Sequence, residues 1–274
     1  MTATMAIHPT AIIEDGATLG AGVEIGPFCI VGRDVRLGDG VRLISHVVIS
    51  GATTIGARCV VHPNAVLGGE SQIRNHDPKG TRLVIGEDTV IRESVTFSLG
   101  SAKSHGVTEI GARGFFMAYC HIGHDCRVGN DVTFANGVQL AGHVDIADGV
   151  IIGGLSAVQQ FGRIGCGAML GGISGSNEDI IPFGIAFGDH AQLAGLNIVG
   201  LKRRGVPRPN IHAARAAYRA IFQETAGSME ERTLAARDKW GDVPEVREII
   251  EFILAPAKRP ICTARARGHD TTEE

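Results

Sequence analysis

Aliphatic side chains return at every sixth position along the first part of this chain: Ile7, Ile13, Leu19, Ile25, Val31, Leu37, Leu43, Ile49, Ile55, Val61 and Leu67. Four residues after each anchor comes a small or β-branched residue, as at Ala11, Val23, Cys29, Val35 and Ala65. Gly follows the anchor directly at Gly20, Gly26, Gly32, Gly38, Gly56 and Gly68. The register lapses over 69–84, returns at Ile85 and Ile91, and lapses again over 98–109. A second unbroken run starts at Ile110 and passes through Phe116, Ile122, Val128, Phe134, Leu140, Ile146, Ile152, Val158 and Ile164 to Leu170.

A period of six matches neither the 3.6 of a helix nor the alternation of long strands. It matches a three-sided solenoid in which each hexapeptide forms one short flat side, so that 18 residues make one coil. Stacked coils pair as parallel strands at ~4.8 Å per layer, so about eight coils would make a rod roughly 40 Å long. Corners that need positive φ would account for the many glycines. Leu67 to Ile85 spans one coil's worth of residues, so 69–84 reads as a loosened or looped-out coil. Phe97 to Ile110 is longer than one side, so a loop around 99–108 must be extruded, and long loops on a regular scaffold tend to carry function. Beyond residue 175 the pattern fades. Helices are expected over Asn210–Thr225, from Ser228 to about Trp240 behind a Ser228–Glu231 capping box, and over Pro244–Leu254, with a loose tail from Ala255. The chain thus divides into a β-solenoid over 1–192 and a helical domain with a loose tail over 193–274, the helices covering an otherwise open end.

Composition narrows the picture. The chain has 38 Gly but only 10 Phe, 2 Tyr and 1 Trp, so a hydrophobic content of 44% must come from aliphatic side chains, as a narrow prism requires. A formal charge of −3 argues against nucleic acid as a partner. No apolar run has the length of a membrane span, and the opening residues lack a signal-peptide pattern. Six Cys in 274 residues do not form a disulfide framework. A cytoplasmic protein is expected.

In a repeat protein, the side chains that the scaffold does not require are the candidates for chemistry. Within Tyr119–Cys126, Ile122 is an anchor and Cys120 and Cys126 take the small inward position, which leaves His121, His124 and Asp125 to point elsewhere. Adding 18 residues stacks His143 on Asp125 and Gly142 on His124. Clustered imidazoles beside a carboxylate suit general-base catalysis, the carboxylate fixing the tautomer while a neutral imidazole removes a hydroxyl proton. The Gly142 N–H is placed to stabilise an oxyanion. A metal triad is the competing reading, but His-x-x-His around an anchor gives no clear convergence, and no metal or cofactor is expected. The cysteines read as buried small hydrophobes, and His46, His62 and His105 as surface, corner or loop residues.

IHPTAIIEDGATLGAGVEIGPFCIVG at the start, IRESVTF at 91–97, HIGHDC at 121–126, LAGHV at 140–144 and GLNIVGLKRRG at 195–205 together resemble the UDP-N-acetylglucosamine O-acyltransferase family. The resemblance runs nearly end to end. It implies a left-handed parallel β-helix assembled as a homotrimer with clefts between subunits. The implied reaction moves a 3-hydroxyacyl chain from acyl carrier protein to the sugar 3-hydroxyl in the first step of lipid A biosynthesis. On this resemblance His124 is the general base, Asp125 its orienting partner and Gly142 the oxyanion donor. His121 and His143 line the site, Gln160 and His190 lie near substrate, and Asn197, Arg203 and Arg204 hold the nucleotide. Gly172 matches the floor of the acyl groove, where the missing side chain leaves room for a chain of roughly twelve to fourteen carbons. Basic side chains near the mouth and on the helices would meet the acidic carrier.

The sequence also departs from the family. Ile73 and Asn75 stand where an acidic residue and a Lys are expected to contact sugar and phosphate, with Arg74 as a substitute. Ser98 and Gln159 each replace a His, and Val199 an acidic residue. These changes keep open a variant acceptor such as the 3-amino sugar. A metal-dependent hydratase and a non-catalytic scaffold are the remaining classes.

Overall fold

The computed structural model describes residues 6–75 and 77–264. It is a left-handed parallel β-helix of three sheets, followed by four helices. The first sheet starts at Ala6–Ile7 and has 11 strands, the second starts at Ile12–Ile13 and has 9, and the third starts at Thr18–Leu19 and has 8. Most strands are two residues long, one side chain facing in and one out. The repeat arithmetic gave about eight coils; the first sheet stacks ten parallel strands before its antiparallel last one. Nine of these carry anchors between Ile7 and Leu170, and Gly184–Phe187 adds the tenth, where backbone pairing persists after the hydrophobic pattern has gone.

The anchors fill the prism as the period requires. Ile25 through Leu67 and Ile85 through Leu170 are buried, and Phe97, Phe116 and Phe134 stack edge to face at 5.1 Å along the axis. Ile7 is 41% exposed and Ile13 and Leu19 are only partly covered, because no described coil lies beneath the first one. The glycines divide into two kinds: Gly16, Gly22, Gly40 and Gly68 hold positive φ, as corners require, whereas Gly20, Gly26, Gly32, Gly38 and Gly56 do not, and of these Gly26 and Gly38 let successive coils approach. A Cβ on Gly38 would lie 2.7 Å from the Ala57 nitrogen, and one on Gly26 would meet the Ile44 carbonyl. The positive-φ corners are often taken by other residues, including Asp125, His143, Leu155, Phe161 and Ile173.

Both lapses in the repeat are excursions that rejoin the column in register. Ile55 pairs with Ile85 and Ile85 with Ile110, so the intervening segments leave the prism and return one layer up. Both leave from the corner between the second and third sheets.

A hairpin of Gly184–Phe187 and Gln192–Leu196 closes the top. Four helices follow: α1 (Ile198–Arg203), α2 (Arg208–Phe222), α3 (Met229–Trp240) and α4 (Pro244–Leu254). The capping box forms as read, Ser228 accepting from the Glu231 N–H while Glu231 accepts from the Ser228 N–H. The segment after α4 was expected to be loose. Through Ala264 it is docked, with parallel bridges from Ile261 to Asp179 and from Ala264 to Leu193. The part of the expected tail over 265–274 lies outside the described residues. Asp179, fully buried, binds Arg163 through both carboxylate oxygens, accepting from its backbone N–H at 2.8 Å and its Nε at 2.6 Å. Arg163 also lies 4.4 Å over the Phe252 ring, joining the third sheet to α4.

Candidate active site

The corner between the second and third sheets carries the clustered chemistry. Strand His121–Ile122 buries Ile122 and turns His121 outward; the chain then bends at Asp125, whose φ is 60°. That conformation costs energy for a side-chain-bearing residue, though Asp adopts it more readily than most. Here it directs a fully buried carboxylate back under His124. Asp125 Oδ2 lies 2.8 Å from His124 Nδ1, and Asp125 Oδ1 accepts the Ser101 N–H at 3.0 Å from the 99–106 excursion. The Asp125 N–H donates to Thr108 Oγ1 at 2.9 Å. Burial pushes the Asp125 carboxyl up, but these hydrogen bonds and the neighbouring imidazoles outweigh it and hold it below its usual range. The anionic form is therefore kept beside the ring it orients.

One layer up, Gly142 lies against the His124 ring: a Cβ there would meet Cε1 and Nε2 at 2.5 Å. Only glycine lets the imidazole rest on the backbone with Nε2 at the cleft, and the Gly142 N–H makes no hydrogen bond among the described residues. His143 meets His124 edge-on at 4.9 Å, with its Nε2 3.9 Å from Asp125 Oδ2. Burial lowers the affinity of both His143 and His121 for a proton, so both rings favour the neutral form. His121 Nδ1 pairs with Thr96 Oγ1 at 2.8 Å.

A cleft of about 500 Å³ opens beside His124, with Gln72, Ser98, His121, Gln139, Gly142, Gln159 and Asn177 in its wall. It runs up the outer face of the second sheet, where the stacked side chains shrink from His121 and Gln139 to Ala157 and Gly175. That taper makes a shallow apolar trough leading away from His124.

The other expected site residues are more scattered. His190 reaches the end of the cleft through Asn177, whose Nδ2 lies 3.0 Å from His190 Nδ1. Gln160 is at the active corner, its carbonyl accepting from Arg259 Nε at 3.0 Å. Gly172 sits at the corner between the first and second sheets, and Asn75 on the 70–81 excursion from the other side of the second sheet; neither is in the cleft wall. Asn197 caps α1 and donates to the Gly167 carbonyl, while Arg204 donates to the Asp148 carbonyl at 3.1 Å. Both therefore lie at the corner between the third and first sheets, as does the α1 terminus with Arg203; within one chain this corner is separate from His124. Gln72, Thr96, Thr108, Gln139 and the Ser101 N–H were not anticipated.

The donor atoms of His124, Asp125 and His143 lie within 4.8 Å of one another. However, the 2.8 Å approach of Nδ1 to Oδ2 is that of an orienting hydrogen bond, with no room for an ion between them. Chemically, the arrangement offers an imidazole oriented by a carboxylate and able to take up a proton, with a backbone N–H alongside and an apolar trough leading from it.

The family model described as UDP N-acetylglucosamine O-acyltransferase, domain 2, matches residues 179–262, and that for six bacterial transferase hexapeptide repeats matches 10–45. An acyl-[acyl-carrier-protein]--UDP-N-acetylglucosamine O-acyltransferase of Sinorhizobium fredii is 45% identical over 96% of this chain and 97% of its own length. Its namesake from Brucella ovis is 44% identical over 98% of each. Among solved structures, that from Acinetobacter baumannii superposes with a TM-score of 0.90 at 36% identity, covering 93% of this chain and 99% of its own. The UDP-N-acetylglucosamine acyltransferase of Campylobacter jejuni gives 0.89 at 36% identity, covering 94% and 100%. With near-complete overlap at this identity, and with the same fold, the chain belongs to the UDP-N-acetylglucosamine O-acyltransferase family.

Proposed function

We propose that this protein transfers a 3-hydroxyacyl chain from acyl carrier protein to the 3-hydroxyl of UDP-N-acetylglucosamine, the opening step of lipid A biosynthesis. The observation that carries this reading is the buried Asp125–His124 pair facing the tapering cleft. His124 Nε2 takes the hydroxyl proton as the sugar oxygen attacks the thioester carbonyl. The Gly142 N–H stabilises the tetrahedral oxyanion. Collapse expels the carrier thiolate, which recovers the proton from the His124 imidazolium. His121 and His143, both favouring the neutral form, line the acceptor side, and Gln160 and His190 lie toward the acyl end. The curated relatives are named for O-acylation of UDP-N-acetylglucosamine, which favours the hydroxyl over the 3-amino acceptor. We read residues 1–192 as the acyltransferase part and 193–274 as the part that meets the carrier, in a cytoplasmic protein. No helix among the described residues is long and apolar enough to cross a membrane. Mass spectrometry after offering UDP-N-acetylglucosamine and its 3-amino analogue with carrier-bound hydroxyacyl chains is expected to show the singly acylated hydroxyl sugar. Product from the amino sugar alone would replace the acceptor assignment.

A homotrimer completes this site. The outer column of the third sheet is mostly charged (Arg36, Glu109, Arg127, Asp145, Arg163), whereas that of the first is largely apolar (Val60, Val90, Phe115, Ile151, Met169, Ile185). The lower second sheet presents Ile12, Ile30 and Val66, and the corner between these two apolar sides exposes Tyr119, Leu155 and Ile173 by 68–76%. Leu155 and Ile173 hold positive φ there, an unfavourable conformation for such side chains. Two unlike apolar sides suit a closed head-to-tail ring. Setting the second side of one copy against the first side of the next brings His124 toward the neighbour's Asn197, Arg203 and Arg204, where guanidinium meets nucleotide phosphate. Replacing Ile151 and Leu155 together by Glu is expected to yield a folded monomer in sedimentation, with a large rise in KM for the UDP-sugar. A trimer persisting in this variant would place the interface elsewhere.

A further inference from the structure

The carboxylate that orients His124 has a second suitor. Asp125 Oδ2 is 2.8 Å from His124 Nδ1 and also 3.9 Å from His143 Nε2. A protonated His143 would compete for that oxygen and set a cation against the edge of the His124 ring. Either change weakens the base that the proposed reaction requires.

His143 is not alone at this corner. Its ring stacks on Phe161, one layer up, at 4.7 Å and 19°. Over the Phe161 ring, 3.9 Å from its centroid, sits the Lys258 ammonium. Lys258 comes from the segment after α4, far away in sequence, and its place is fixed on its C-terminal side. Arg259 Nε donates to the Gln160 carbonyl at 3.0 Å, and Ile261 bridges to Asp179. The result is a column of ammonium, phenyl ring, imidazole and catalytic imidazole, ending on the Asp125 carboxylate.

We propose that Lys258 is a positioning residue for acyl transfer: fixed over Phe161, its ammonium disfavours a second cation at His143 and so leaves Asp125 committed to His124. This rests on the assignment of His124 as the base. The groups facing His143 are Asp125 and His124 from the layer below, Ser104 and His105 from the 99–106 excursion, and Lys258 from the terminal segment. Of these only Asp125 favours protonation of His143; burial, His124, Lys258 and His105 oppose it. Lys258 is exposed, so its removal does not disturb the core.

The test compares Lys258→Met, which keeps the apolar stem, with Lys258→Arg, which keeps the charge. In Lys258→Met the acid limb of the kcat–pH profile is expected to move upward by about half a pH unit, the scale of one partly screened charge at this range. In ¹³C-histidine-labelled protein, with His143 assigned by loss of its signal in His143→Asn, the His143 midpoint should move up by the same amount. Lys258→Arg should restore both. An unmoved His143 midpoint in Lys258→Met, or a failure of Arg to restore it, overturns the proposal. Because the titration needs no turnover, it decides the role of Lys258 separately from the identity of the base, which the rate of His124→Ala decides.

Discussion

Replacing His124 by Ala is expected to lower kcat for acyl transfer by about a thousandfold, the central range for loss of a positioned general base. Among the described residues, the ring is the only imidazole whose Nδ1 bonds the buried Asp125 directly and whose other nitrogen lies beside Gly142 at the cleft. His121 and His143 cannot stand in for it, since His121 is paired with Thr96 and His143 packs on Phe161. The fold should survive, because Asp125 retains the Ser101 N–H and the prism is filled by other residues. Asp125→Asn is expected to act in the same direction. An amide N–H facing Nδ1 would force the ring proton onto Nε2 and block the base without altering shape. Steady-state rates with circular dichroism and sedimentation as controls check both variants; a near-normal rate in His124→Ala would remove it from the mechanism.

The largest effect on stability is expected at Arg163. Its loss strands Asp179, whose carboxylate is fully buried and receives two hydrogen bonds from this one residue. Breaking a buried pair on one side costs about 3–5 kcal/mol. Arg163→Ala retains the backbone bond, so the lower end of that range applies. Burial already pushes the Asp179 carboxyl above its usual value, with Arg163 opposing the rise. Removing Arg163 raises it further. A carboxyl whose folded value is raised gives stability that is present at low pH and lost as pH climbs through that value. The destabilisation of Arg163→Ala should therefore be greater at pH 8 than at pH 5, as read from urea midpoints. The double variant Arg163→Met with Asp179→Leu should recover much of the loss. Equal destabilisation at both pH values would show that Asp179 does not carry the effect.

Much of this molecule was legible because stacking is arithmetic. Adding 18 to a position finds its neighbour, and this rule sets His143 above Asp125 and Gly142 above His124 from the sequence alone. Applied further, it also finds Gln139 above His121 and Phe161 above His143, as the pairing and ring contacts show. It fails where the excursions interrupt the count. Thr96 pairs with His121 across 25 residues, and Ser101 and Thr108 reach Asp125 from an irregular loop, so no periodicity revealed them. The glycines were only half legible for a related reason: composition shows that glycine is needed, while only geometry separates a left-handed corner such as Gly68 from a close approach such as Gly38. The docked segment 255–264 shows no periodicity that would announce it, because backbone bridges and buried Cys262 hold it rather than a repeating hydrophobic face.

The return of that segment gives the molecule an order of assembly. Each layer of the prism needs only the layer beside it, so the column can lengthen locally, one turn upon the last. The catalytic corner cannot mature in that way. Its orienting loop, its imidazoles, its stacked rings and Lys258 come from distant stretches of chain, and the last of these follows α2 to α4 and is held beside the Ile261–Asp179 bridge. Refolding should thus show two clocks: parallel β-structure appears early, while full turnover lags behind until the helices have formed and the terminal segment has latched.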